Sequence, residues 1–76
     1  MEKALMRLLA DSLCANLDVV IEHGSSEKSK TYCEKLKQAL TVRSNELDSN
    51  EIDQDDETLM NIIGMVRKEL YLNGVL

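Results

Sequence analysis

Three kinds of side chain here have the chemistry for a reaction or a ligand: one histidine, two cysteines and a cluster of carboxylates. General acid–base work by His23 would need a second group to orient it, and metal binding would need further ligands. None with suitable spacing accompanies it. Its place beside Gly24 instead suits a helix end, where an imidazole favours the macrodipole and glycine takes the left-handed cap conformation cheaply. Cys14 and Cys33 fall in the middle of helical stretches, away from the helix N-termini where a thiol is commonly activated. Two cysteines alone also lack two of the ligands of a zinc site, so no metal or cofactor is expected. They stand ten residues before and nine after Gly24, so a fold-back there brings them to similar heights. The favoured reading is two small buried side chains, with a disulfide as the lesser alternative.

Between Ser44 and Glu57 the sequence carries seven acids (Glu46, Asp48, Glu51, Asp53, Asp55, Asp56 and Glu57) and no lysine or arginine. A calcium loop needs carboxylates in a fixed register. From Asp48, Ile52 falls at the fifth position and Leu59 at the twelfth; from Asp53, Gly64 falls where a bidentate Glu belongs. The carboxylates therefore read as a solvated connector, and catalysis is not expected. The rest of the chain carries seven acids against all nine Lys and Arg, so the overall charge of −5 is a local property. Direct nucleic-acid binding is disfavoured, because phosphate contacts need a basic face. Lys28 with Lys35, and Lys30 with Lys37, do share helix faces, a spacing that solubility alone accounts for.

The elements that must position these groups are helical. Seventy-six residues make one small domain, near the lower limit for a self-sufficient core. Pro, Phe and Trp are absent and Gly occurs three times, which favours uninterrupted helices with a core of Leu, Ile, Val, Met and Ala. Leu5, Leu9, Leu13, Leu17 and Ile21 recur every fourth residue, with Leu8, Val19 and Val20 beside them. They predict one apolar stripe along a helix over residues 2–22. Ser25 or Ser26 caps a second helix over 26–43, whose face is Tyr32, Cys33, Leu36, Ala39, Leu40 and Val42. Residues 44–56 form the acidic connector, with Leu47 and Ile52 as its apolar anchors. Asp55 or Asp56 caps a third helix over 57–72, buried through Leu59, Ile62, Ile63, Val66 and Leu70. Gly64 within it would permit a close helix contact.

The expected fold is an all-α three-helix bundle, a helical hairpin plus a third helix after a long acidic connector, completed by dimerisation. No apolar run reaches transmembrane length, and the opening residues lack a signal-peptide pattern, so a cytoplasmic protein is expected. The function expected is a non-catalytic regulatory adaptor or chaperone-like module that binds another protein through an apolar helical face. Met6, Met60 and Met65 would supply adaptable contact, and Glu46, Asp48, Glu51, Asp53, Asp55 and Asp56 would steer a basic partner. The alternative is an acidic DNA mimic that inhibits a nucleic-acid-binding protein, or a small transcription-related regulator.

Overall fold

The computed structural model describes residues 2–49 and 56–76. They form α1 (Lys3–His23), α2 (Glu27–Asp48) and α3 (Glu57–Leu72), with no strand among the described residues. All three helices pack on one another in a bundle whose longest dimension is 37 Å. None of them is long and apolar enough to cross a membrane.

The face α1 buries is not the leucine stripe. Met6, Ala10, Leu13, Leu17 and Val20 line the core, while Leu5 and Leu8 are 52% and 64% exposed and Leu9 and Ile21 are half-buried. The reason is geometric. A strict four-residue spacing overshoots a 3.6-residue turn by about 40° per step, so the stripe drifts roughly 160° between Leu5 and Ile21. It crosses the core only at Leu13 and Leu17. The alternation of four and three that joins Met6, Ala10, Leu13, Leu17 and Val20 stays on one side.

α1 ends at Gly24 without the left-handed turn expected there: its φ is −64° and its N–H bonds the Val20 carbonyl. Glycine is needed for space, since a Cβ would stand 2.5 Å from that carbonyl oxygen. Ser26 caps α2, its Oγ accepting from the Ser29 N–H at 3.3 Å. The two helices run antiparallel, and their side chains give the register. Lys37 Nζ bonds Asp18 Oδ1 at 2.7 Å, and Cys14 Sγ stands 3.7 Å from Thr41 Oγ1. Cys33 is therefore level with the end of α1, about eight residues or roughly 12 Å along the axis from Cys14. Both cysteines are free.

α2 continues to Asp48, beyond the end expected at Arg43. Cys33, Leu36, Leu40, Ser44 and Leu47 are all buried, so residues expected in the connector extend the core face by another turn. Arg7 Nη1 also bonds Asn45 Oδ1 at 2.9 Å across the hairpin. Helix-averse Ser44 and Asn45 are held by tertiary contacts that propensity does not see. The Ser44 hydroxyl is buried with no hydrogen-bond partner among the described residues. Of the two expected anchors, Leu47 is fully buried and Ile52 lies outside the described residues.

α3 returns antiparallel to α2. Asp56 caps it, Oδ1 accepting from the Leu59 N–H at 2.8 Å. Leu59, Ile63, Val66 and Leu70 are buried, and Ile62 packs at their edge. At its far end the Gly74 N–H bonds the Tyr71 carbonyl and the Val75 N–H the Leu70 carbonyl, with Gly74 at φ +74°. This is a Schellman turn, and Val75 folds back onto the core. Gly64 makes no close contact among the described residues: a Cβ there would meet none of their atoms within 4 Å.

Candidate functional site

The chemistry-bearing residues are dispersed by this architecture. His23 is exposed beside Glu22, with Nε2 3.7 Å from Oε2. Cys33 is fully buried, and burial, reinforced by the nearby Glu69 charge, pushes its thiol pKa up, away from a nucleophilic thiolate. Cys14 faces a hydroxyl, not a base. Among the described residues no three His, Cys, Asp or Glu side chains converge as a metal-binding group.

The acidic cluster is divided. Arg43 lies between α2 and α3 and takes up two of its members. Its Nη1 bonds Glu46 Oε2 at 2.7 Å, while Nη2 and Nε bond Asp56 Oδ2 and Oδ1 at 2.9 and 3.2 Å. The Arg43 bonds, with the Leu59 N–H, hold the Asp56 carboxyl below the usual carboxylate range. The Asp56 bonds in turn raise the Arg43 guanidinium pKa. Glu46 and Asp56, expected to face a partner, thus serve first to fasten the start of α3 to α2. Asp48 is the last residue of α2, and Glu51, Asp53 and Asp55 lie outside the described residues.

The methionines divide as well. Met6 is 2% exposed and belongs to the core, not to a contact surface. Met60 and Met65 are both about half exposed. They stand five residues apart, about 140° around α3, so they lie on different flanks of the helix.

Two other surfaces take their place: one that sequence reasoning missed, and one of which only the Lys28–Lys35 pairing was legible, since Tyr32, Ala39 and Val42 were expected on the buried face. The first is the outer side of α1, where Leu5, Leu8 and Val19 stand exposed with Ser12 and Ala15 between them. Their spacing of three, four, three and four is a heptad seam, on the side of α1 turned away from its core face. The signal was present in the sequence, but the four-residue run of leucines masked it by sharing Leu5.

The second surface is the outer side of α2. Lys28, Tyr32, Lys35, Ala39 and Val42 are exposed there, again at heptad spacing. Glu27, Lys28, Thr31, Tyr32 and Lys35 border a shallow depression of about 440 Å³. Neighbouring lysines are occupied: Lys30 Nζ is 3.7 Å from Glu27 Oε1, and Lys37 is held by Asp18, whose hydrogen bond raises the ammonium pKa. Lys28 and Lys35 have no ion pair among the described residues. Behind Tyr32, Ser29 Oγ donates to Glu69 Oε1 at 2.8 Å and Asn73 Nδ2 donates to Ser29 Oγ at 3.0 Å. Those bonds hold the first turn of α2 against the last turn of α3.

No protein-family model, no curated protein and no solved structure matches the chain.

Proposed function

We propose that this chain is a non-catalytic protein-interaction module, a regulatory adaptor that receives a helix of another protein on the outer face of α1. The observation that carries this reading is the pair of apolar faces on one helix. Met6, Ala10, Leu13, Leu17 and Val20 already supply α1's share of the core, yet Leu5, Leu8 and Val19 remain in water at helical spacing. Single exposed apolar residues are ordinary on a soluble surface, whereas Leu5, Leu8, Ala15 and Val19 share one side of one helix, interrupted only by Ser12. Ser12 and Ala15 at its middle keep the seam low, so a partner backbone can approach closely. The occupant that fits is an amphipathic helix with its own three–four apolar repeat. The non-catalytic part is supported by the burial of the Cys33 thiol, by the roughly eight residues of helix that part it from Cys14, and by the exposure of His23.

A photo-cross-linking residue at position 8 tests the reading, with the same residue at exposed position 34 as control. One discrete adduct through position 8, lost when Leu5 and Val19 become Gln, is the expected result. Equal adducts through both positions, or none through either, would overturn it. Helical circular dichroism verifies that every variant is folded.

A further inference from the structure

We infer that two copies of this chain pair antiparallel through the outer face of α2, with Lys28 of each copy against Glu46 of the other. This goes beyond the function proposed above, since it concerns a different helix and commits to a second copy as occupant.

Lys28, Tyr32, Lys35, Ala39, Val42 and Glu46 follow one another at steps of four, three, four, three and four, which read the same in either direction. A two-fold axis across two antiparallel helices sets each residue opposite its mirror position, and here the mirror lies at the level of Lys37. The opposing pairs are then Lys28 with Glu46, Tyr32 with Val42, and Lys35 with Ala39, each made twice. Every pair is compatible. The first joins opposite charges. The second sets the exposed Val42 of one copy into the depression beside Tyr32 of the other. The third lays a lysine stem over a methyl group, which leaves the ammonium in water and lets the backbones approach.

Charge selects this orientation over a parallel one. The first part of α2 presents Lys28 and Lys35 without ion-pair partners among the described residues, whereas the other end leads into the acid-rich stretch of the sequence. Lys28 and Glu46 lie about 27 Å apart along their own helix, beyond the roughly 8 Å over which charges interact at physiological salt. They cannot neutralise one another within a chain. Two antiparallel copies bring each basic end to an acidic one, and parallel copies would set like over like. Glu46 is half-buried, with Oε2 on Arg43, and its other carboxylate oxygen has no partner among the described residues.

Sedimentation equilibrium on the full chain tests this with Lys28→Glu and Glu46→Lys, alone and mixed. Each variant by itself sets like charges together at both contacts, and dissociation should strengthen by about tenfold or more. An equimolar mixture restores both attractions and should return the wild-type dimer mass and affinity. Val42→Glu should leave a monomer. Lys28 and Val42 are exposed, so neither variant disturbs the fold, and the mixing rescue controls for the Arg43 contact that Glu46→Lys removes. A wild-type monomer at every concentration overturns the inference and leaves the α1 surface untouched. A dimer indifferent to Lys28→Glu and Val42→Glu also overturns it, and loss of that dimer on Leu8→Glu would move the self-contact to α1. A mixture that grows beyond dimer mass overturns the two-fold arrangement in favour of a head-to-tail one.

Discussion

Met6 and Leu5 are neighbours in sequence with opposite surroundings, and replacing each by alanine separates the core face of α1 from its leucine stripe. Met6 is 2% exposed and packs among the buried side chains of the bundle. Truncating such a residue removes its transfer free energy and leaves a cavity, together costing about 2–5 kcal/mol. A chain of this length has on the order of 4–11 kcal/mol of total stability, so the loss is a large fraction of the whole. Leu5 is 52% exposed. Full burial of a leucine contributes about 1.5–3 kcal/mol, so Leu5 gains roughly 1 kcal/mol from the half it buries, partly offset by alanine's better helix propensity. Urea unfolding followed by helical circular dichroism, at one fixed protein concentration, measures both. The expected result is an unchanged slope and a midpoint that falls several-fold further for Met6→Ala. In thermal melts the corresponding drops are about 10 °C or more for Met6→Ala and a few degrees for Leu5→Ala. If Leu5→Ala costs as much as Met6→Ala, the four–three face is wrong and the leucine stripe is the core.

Gly64→Ala should stabilise the fold by about 0.5–1 kcal/mol, because α3 gains helix propensity and the added methyl meets only open space; a lower urea midpoint would contradict the open surroundings. Ser44→Ala should also stabilise, by roughly 1 kcal/mol, since it removes a buried hydroxyl without a hydrogen-bond partner among the described residues. A loss of stability there would mean that the hydroxyl is satisfied. Under native conditions a thiol reagent should label Cys14 first, with Cys33 reacting only as the bundle opens; mass spectrometry of the labelled peptides reads the order. Asp56 has a lowered pKa in the fold, so its contribution is fully present above the ordinary carboxyl range and is lost as pH falls through the depressed value. Acid titration of the melting temperature should therefore be steeper for wild type than for Asp56→Asn; parallel curves would show that the Arg43 bonds do not tune Asp56.

Much of the fold was legible because it depends on local pattern. Absence of proline, the Ser26 and Asp56 caps, and the Asn73-Gly74 stop mark three helices within a residue or two of their observed starts and of the end of α3. Leu36, Leu40, Leu59, Ile63, Val66 and Leu70 were placed in the core by three–four spacing, and they are there. The end of α2 was not legible. Ser44, Asn45 and Asp48 look like connector when judged by propensity, and the helix runs through them where Arg7 of α1 bonds Asn45 and where Ser44 and Leu47 are buried. The candidate surfaces were illegible for a related reason. Glu46, Asp56 and Met6 are chemically suited to a partner, but Arg43 and the core occupy them first.

By itself, then, the sequence determined the number and type of the elements, most of their boundaries and the locality of the acidic charge. These follow from 3.6-residue periodicity, backbone capping and composition, each acting over a few residues. Tertiary structure alone decided which of α1's two apolar faces turns inward. It also set the hairpin register that parts Cys14 from Cys33, and the bonds that withdraw Glu46 and Asp56 from the acidic cluster. Those outcomes depend on which side chains meet across helices. An amphipathic pattern says that a face must be covered, and only packing says by what.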